Sequence, residues 1–198
     1  MLRPPYKIGI TGGIGSGKSV VSRLLRLMGV PVYDCDSMAK RLMHENCSIR
    51  EALISTVGDN VYDATGQLDR AYLASYIFGD ANRVAAINRI VHPVVRADFK
   101  QWVWHTGKAI VAIESAILFE ANMDGDVDTV WLVHAPEEIR LRRAMYRDAS
   151  DEKAVRNRMK NQLSEQEYMD RADHIVYNDN NHSLIKQVKD LLHTISIE

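Results

Sequence analysis

The chain has 198 residues, 46% of them hydrophobic, which suffices for one α/β domain with a substantial core. Its 25 basic and 26 acidic side chains give a formal net charge of -1, so the composition gives no reason to expect nucleic acid or an anionic membrane surface as a partner. No apolar run approaches the roughly 20 residues of a membrane span, and the start Met1–Pro5 leads into a strand pattern instead of a signal peptide. These features predict a cytoplasmic protein.

The cysteines and histidines exclude two further classes of protein. Cys35 and Cys47 are too few for a disulfide framework and lack the paired spacing of a zinc site, so they are predicted to be reduced and unconnected. The seven histidines include no pair spaced to share one helix face. A metal cage built from protein side chains is therefore not expected.

Five short apolar runs predict a parallel sheet, because they lack the alternation of a sheet with one solvated face. They are Lys7–Thr11, Val30–Asp34, Ala109–Glu114, Thr129–Ala135 and Ile175–Asn178. A crossover helix between the first two runs is predicted from the stripe of Val21, Leu24, Leu25 and Met28, with Gly29 at its end. A closing helix is predicted from the stripe of Leu184, Val188, Leu191, Leu192 and Ile195.

Two stretches exceed what a minimal alternating fold needs. Residues 37–105 carry amphipathic segments that are predicted to break at Gly58, Gly66, Gly79 and Pro93, and they leave room for a helical substrate-binding insertion. Residues 147–173 hold 13 charged side chains in 27, which predicts an exposed, mobile helical lid. The nucleotide-binding core would then consist of residues 1–36, 106–146 and 174–198.

The strongest motif is Gly12–Ser19, which matches the phosphate-binding pattern G-x-x-x-x-G-K-[ST] between a buried strand and an amphipathic helix. Glycines let backbone N–H groups point at phosphate oxygens, and the helix adds its positive N-terminal end. Lys18 would reach the β- and γ-phosphates, and the Ser19 hydroxyl would bind Mg²⁺. The predicted ATP-binding residues are Gly13, Gly15, Ser16, Gly17, Lys18, Ser19 and Val20.

Two carboxylates follow the second predicted strand, where ligands of open α/β sheets bind. Asp34 and Asp36 could divide the work, one accepting a proton from an acceptor hydroxyl while the other holds magnesium-bound water or the local backbone. The structural alternative is an Asx turn and N-cap formed by Asp36-Ser37 before a helix that begins at Met38. Beside a phosphate loop, the functional interpretation is favoured.

Arginines follow the fourth predicted strand. On a helix, Arg140, Arg143 and Arg147 share one face, whereas Arg142 points elsewhere and is interpreted as solvated. Guanidinium groups above a γ-phosphate would neutralise its charge and favour transfer over hydrolysis when a lid closes. Arg143 and Arg147 are therefore the candidate catalytic arginines.

Other classes of phosphate-loop protein fit less well. A GTPase needs a DxxG switch after an apolar strand and a later NKxD, but Asp63–Gly66 lies in a polar, turn-rich stretch and NKxD is absent. A motor ATPase usually has an apolar third strand that ends in Asp, whereas this strand ends in Ile113-Glu114. Two rivals stay open: a kinase of a nucleoside or sugar, and a non-catalytic nucleotide-binding regulator.

At this point the sequence resembles the dephospho-CoA kinases, a family of P-loop kinases. The matching pieces are Ile10–Ser19, Val32–Asp36, Gly66–Arg70, Ile90–Pro93, Leu118–Glu120, Arg143–Asp148, Asn161-Gln162 and Arg171–His174. Their order and spacing run over nearly the whole chain and are much more specific than the phosphate loop alone.

The resemblance implies a P-loop NTPase-type α/β fold and transfer of the ATP γ-phosphate to the ribose 3′-hydroxyl of dephospho-coenzyme A with Mg²⁺. It implies Asp36 as general base, Lys18 as a phosphate ligand, Arg143 or Arg147 as a lid residue, and Asp34, Asp36 and His92 as substrate-binding residues. His92-Pro93 is also explained as a turn before a helix. The resemblance is compatible with a monomer and with a homo-oligomer.

Three positions depart from the usual pattern of the family. Val20 stands where threonine is common, so one polar contact to a phosphate is expected to be lost, and Cys35 stands where alanine is common. Ala116 stands where proline is common, so its loop is expected to be less rigid. None of these changes affects Lys18, Ser19 or Asp36.

Overall fold

The computed structural model describes residues 4–195. The predictions that involve residues 1–3 and 196–198, at the two ends of the predicted core, lie outside the described residues. Five strands form one sheet in the order β2-β3-β1-β4-β5. Their bounds are β1 (Tyr6–Thr11), β2 (Val32–Asp34), β3 (Ile110–Glu114), β4 (Thr129–His134) and β5 (His174–Tyr177). The parallel α/β sheet predicted from the apolar runs is confirmed.

The sheet positions its first strand at the centre. β1 pairs in parallel with β3 on one side and with β4 on the other, and β4 pairs in parallel with β5. Buried residues from these strands, including Ile8, Ile10 and Trp131, pack against helices α1 (Lys18–Leu27) and α9 (Leu184–Thr194). Because β1 is buried on both sides, the loop that leaves its carboxyl end has a rigid support.

Both predicted stripes supply core contacts, with one correction. Val21 and Leu25 of α1 and Val188 of α9 are fully buried. Met28, which was predicted to lie on the buried stripe, is the C-cap of α1 and is 37% exposed. The helix ends before Met28 could turn inward, because Gly29 follows with φ 84° and reverses the chain.

The chain divides into two compact units, one of residues 1–33 and 103–198 and the other of Asp34–Trp102. The second unit is helical, with one short 3₁₀ turn (Asp59–Val61) between two of its helices. Its helices are α2 (Cys35–Glu45), α3 (Cys47–Val57), α4 (Arg70–Ile77) and most of α5 (Ala81–His105). Cys35 and Cys47 form no disulfide, as predicted.

Helix α5 shows that one of the predicted helix breaks is wrong. Gly58, Gly66 and Gly79 lie outside the helices, as predicted, but α5 continues through Pro93 for 25 residues. A buried stripe with four-residue spacing runs across the proline and consists of Ile87, Val91, Val95, Phe99 and Val103. An interior proline costs about 3 kcal/mol, whereas each buried side chain contributes roughly 1.5–3 kcal/mol. Burial of the stripe therefore outweighs the proline.

The remaining helices of the first unit follow β4. They are α6 (Glu137–Asp148), α7 (Glu152–Lys160) and α8 (Glu165–Arg171). Val155 of α7 and Tyr168 of α8 are buried, so the charged stretch 147–173 has an apolar anchor on each helix. Among residues 4–195, no helix has the length and apolar character needed to cross a membrane.

Candidate active site

The loop between β1 and α1 turns sharply before the start of the helix. Helix α1 begins at Lys18, and its N-cap Gly17 is left-handed with φ 97°. Gly15 has φ 76°, and a Cβ atom there would collide with the backbone of Arg140. Position 15 therefore requires glycine both for its dihedral angle and for the close approach of α6. The ten-residue helix behind the loop directs its positive end toward this point.

Lys18 folds back over the loop. Its Nζ donates to the carbonyl oxygen of Gly12 at 2.8 Å and to that of Gly13 at 3.3 Å. The ammonium charge therefore lies at the loop itself, where a bound phosphate would replace carbonyl oxygens as its partner. Ser19 is exposed in the first turn of α1, and its hydroxyl is accessible to a ligand.

The end of β5 supports the loop from a second direction. Asn178 Nδ2 donates to the carbonyl oxygen of Ser16 at 2.7 Å. Arg143 Nη1 donates to the carbonyl oxygen of Asn178 at 3.0 Å, and its Nη2 donates to Asn180 Oδ1 at 3.1 Å. A Cβ atom on Gly17 would lie 4.0 Å from Arg143 Nη1. The structure thus places Arg143 beside the phosphate loop.

Arg140, which the sequence marked only as a member of the arginine face, also touches the loop. Its Nε donates to the carbonyl oxygen of Ala135 at 3.0 Å, which fixes the guanidinium group at the end of β4. Its Nη1 lies so close to Gly13 that a Cβ atom there would collide with it. A fixed positive charge next to two loop glycines favours anion binding there.

Arg147 has a different environment. It is exposed, and its Nε pairs with Asp148 Oδ1 at 2.8 Å. Hydrogen bonds from Arg147 and then Arg158 lower the pKa of Asp148 to about 2, so its carboxylate stays charged near neutral pH. A phosphate would have to displace Asp148 to bind Arg147. Arg142 donates to the carbonyl oxygen of Glu138 on its own helix and is exposed, in line with its interpretation as solvated.

The two carboxylates after β2 have separate roles in the local structure. Helix α2 begins at Cys35, three residues earlier than predicted, and its N-cap is Asp34, not Asp36. Asp34 accepts from the backbone N–H of Ser37 at 3.1 Å and from its hydroxyl at 2.8 Å. The cap moves because β2 ends at Asp34, whose extended backbone suits an N-cap. Asp36 is left exposed in the first turn of α2.

This difference predicts distinct effects of substitutions at position 34. Asp34→Ala should lower the free energy of unfolding by about 1 kcal/mol, because Ser37 N–H loses its cap. Asp34→Asn should keep most of that stability, because the amide oxygen can still accept the bond. Urea denaturation of both variants measures this. If Asp34→Asn instead unfolds as easily as Asp34→Ala, the carboxylate does not act as a cap.

His92 lies within α5 and is half-buried. Burial lowers the pKa of His92 below its ordinary value, so the imidazole is held neutral near pH 7. It is therefore suited to exchange hydrogen bonds with a polar substrate group instead of attracting phosphate by charge. The prediction that His92-Pro93 forms a turn before a helix is wrong, because both residues lie inside α5.

Three residues contact the loop although the sequence did not predict these contacts. Arg140, Asn178 and Gln162 reach the loop from α6, the end of β5 and the turn after α7. Gln162 appeared in the sequence only as part of a family motif. Asn178 ends a predicted strand and Gln162 lies in the charged stretch 147–173, but their partners in the loop are 162 and 148 residues away along the chain, so no local pattern pairs them.

A family model described as dephospho-CoA kinase matches residues 6–183. The chain belongs to the dephospho-CoA kinase family. Curated relatives agree: the dephospho-CoA kinase of Porphyromonas gingivalis is 46% identical over 189 residues, which cover 95% of this chain and 93% of the relative. The dephospho-CoA kinase of Bacteroides fragilis is 41% identical over 187 residues, covering 94% and 91%. Members of this family are ATP-dependent phosphotransferases, and the phosphate loop of this chain is the matching feature.

Solved structures show the same fold. A crystal structure of a protein from Thermus thermophilus superposes with a TM-score of 0.86 at 34% identity, covering 98% of this chain and 100% of that one. Dephospho-CoA kinase from Campylobacter jejuni has a TM-score of 0.64 at 20% identity, covering 99% and 100%. A shikimate kinase from Acinetobacter baumannii has a TM-score of 0.55 at 18% identity, covering 96% and 92%. The P-loop kinase fold predicted for this dephospho-CoA kinase family member is confirmed.

Proposed function

We propose that this chain transfers the γ-phosphoryl group of ATP to the ribose 3′-hydroxyl of dephospho-coenzyme A, the last step of coenzyme A biosynthesis. The observation that carries the proposal is the loop Gly12–Ser19, with its glycine-permitted turn and the Lys18 ammonium group folded onto it, in a member of the dephospho-CoA kinase family. The family supplies the substrates, and the loop supplies the donor site. We expect the reaction to take place in the cytoplasm.

The donor half would hold the triphosphate by backbone and charge. The loop residues Gly13, Gly15, Ser16, Gly17, Lys18, Ser19 and Val20 surround the phosphates in this proposal. Val20 would contribute no polar side-chain contact, because its side chain is apolar, and its backbone N–H donates to the carbonyl oxygen of Gly17 at 2.9 Å. Arg143 lies beside the loop and would neutralise charge on the transferring group, and Arg147 would join it after leaving Asp148.

Magnesium would bind at Ser19, and the donors present there fit a shared site. The Ser19 hydroxyl is exposed at the start of α1, and residues 4–195 contain no cluster of three His, Cys, Asp or Glu side chains that would form a cage. Phosphate oxygens and water molecules would supply the remaining ligands, because Mg²⁺ prefers oxygen ligands and usually keeps several of its waters. When bound, the ion would neutralise phosphate charge.

The acceptor half would depend on Asp36. In the proposed step, the 3′-oxygen forms a bond to the γ-phosphorus while the bond from that phosphorus to the ADP oxygen breaks. The hydroxyl proton passes to the Asp36 carboxylate, which is exposed and not used as a cap. Asp34 and His92 would help to bind the acceptor. Most of the rate enhancement would come from positioning and charge neutralisation.

The test is ADP release measured against dephospho-coenzyme A, nucleosides and sugars, with each product checked by mass spectrometry for one added phosphate. We expect turnover with dephospho-coenzyme A and addition at the 3′-position. Turnover with only a nucleoside or a sugar would assign the chain to a different small-molecule kinase. Nucleotide binding without any turnover would favour a regulator.

A further inference from the structure

The turn between α7 and α8 is attached directly to the phosphate loop. The backbone N–H of Ile14 donates to Gln162 Oε1 at 2.8 Å, in a partly buried contact between residues 148 positions apart. A Cβ atom on the neighbouring Gly13 would lie 3.7 Å from the same oxygen. The Gln162 side chain therefore lies along the loop instead of pointing into solvent.

The side chain of Ile14 forms a second attachment. Leu141 and Ala144 of α6 and Val155 of α7 form a buried apolar cluster, and Ile14 and Met159 pack against it. Ile14, a non-glycine position of the loop, thus packs its side chain into this cluster together with Val155 and Met159 of the segment 147–173. A polar and an apolar contact hold the same loop residue, so a shift of the segment would change the loop backbone.

Gln162 is itself held in place. Its backbone N–H donates to the carbonyl oxygen of Met159 at 3.1 Å, which closes the end of α7. Two residues later, Ser164 and Glu167 form a capping box that starts α8. Because Gln162 lies in the tight turn between α7 and α8, its side chain can transmit the position of these two helices to the backbone N–H of Ile14.

A cleft of about 550 Å³ lies next to this attachment. It lies between the start of α6 and the helices α7 and α8, and both Arg140 and Gln162 line it. Arg156 of α7 bridges to Glu137 and Glu138 at the start of α6, so these ion pairs, the apolar cluster and the Gln162 contact together hold the segment near the loop. The Gln162 contact is the one made to a backbone group of the phosphate loop itself.

We propose that Gln162 is a positioning residue that couples the segment 147–173 to the phosphate loop, so that the segment keeps water from the bound γ-phosphate. This inference rests on the proposed function. Without the coupling, water competes with the acceptor: its oxygen bonds to the γ-phosphorus as the bond to the ADP oxygen breaks, and ADP, inorganic phosphate and a proton are released. ATP would then be consumed without phosphorylation of the acceptor.

The test compares two products in one assay at saturating ATP and dephospho-coenzyme A. Gln162→Leu removes the acceptor oxygen at similar side-chain size, and we expect the ratio of inorganic phosphate released to acceptor phosphorylated to rise roughly fivefold, the effect of one net hydrogen bond. Gln162→Glu retains an oxygen that can accept from the backbone N–H of Ile14, so its ratio should be near that of the unmodified chain. A merely structural defect would lower both products together and leave the ratio unchanged.

Two further variants supply a control and a second test of the inference. Gln166→Leu is the matched control, because Gln166 bonds only to Asp170 within α8 in an exposed pair, and its ratio should not change. Met159→Ala removes the apolar contact and should raise the ratio even if Gln162→Leu does not fold. An unchanged ratio in both Gln162→Leu and Met159→Ala overturns the inference, whereas absence of transfer by the unmodified chain overturns the proposed function instead.

Discussion

Asp36→Asn is expected to lower the turnover number by about 10²- to 10⁴-fold while ATP still binds. Asparagine has nearly the same shape as aspartate but cannot accept the proton of the 3′-hydroxyl at neutral pH. Asp36 is exposed in the first turn of α2 and does not serve as its cap, so the folded structure should not depend on its charge. Steady-state kinetics together with an ATP-binding titration would measure both parts of the expectation.

The matched control is Asp59→Asn, the same chemical change at an exposed position of the same compact unit. Its turnover should be that of the unmodified chain. A second comparison uses Asp34→Asn, which retains a cap and tests whether the neighbouring carboxylate is also needed for turnover. If Asp36→Asn turns over at a near-normal rate, Asp36 is not the general base.

Lys18→Ala is expected to weaken ATP binding and transfer together, with a loss in kcat/KM of about 10²-fold or more. The ammonium group lies on the loop, 2.8 Å from the Gly12 carbonyl oxygen, and its loss removes one positively charged partner of the triphosphate. Lys18→Met should show a similar loss, because the apolar stem alone provides no charge. Calorimetric titration with ATP and initial-rate kinetics would separate binding from transfer.

A stability measurement and a control variant test whether the expected loss reflects only destabilisation or the removal of any lysine. Lys18 also donates to loop carbonyl oxygens, so its removal should lower the free energy of unfolding by about 1 kcal/mol. Lys189→Ala, at an exposed position of α9, serves as the control for loss of a lysine. Unaltered ATP affinity and kinetics in Lys18→Ala would contradict the assignment of the loop as the donor site.

Local patterns were enough for the parts of the site that are contiguous in the chain. The loop Gly12–Ser19 and the helix behind it follow from one motif and one apolar stripe, because glycine dihedrals and helical spacing act over a few residues. The strand positions followed for the same reason, since fully buried parallel strands are apolar throughout. The family resemblance then supplied the substrates, which no local pattern contains.

Local patterns failed where two preferences compete. The break predicted at Pro93 did not occur, because a buried stripe that spans the proline outweighs its local cost. The N-cap considered at Asp36-Ser37, as the structural alternative to a functional role, lies instead at Asp34, because the end of β2 determines where the helix can begin. In both cases the decision depends on burial or strand length, and both are properties of the folded chain.

By itself, the sequence determined that this protein has a phosphate loop on a parallel α/β sheet and which acidic and basic residues are candidates for phosphoryl transfer. Only the tertiary structure decided that Arg143 reaches the loop through Asn178, that Arg140 lies against Gly13, and that Gln162 bonds to Ile14. The physical reason is distance along the chain. Spacing rules describe neighbours in one helix or strand, whereas these partners are brought together by the strand order β2-β3-β1-β4-β5 and by the packing of α6 and α7.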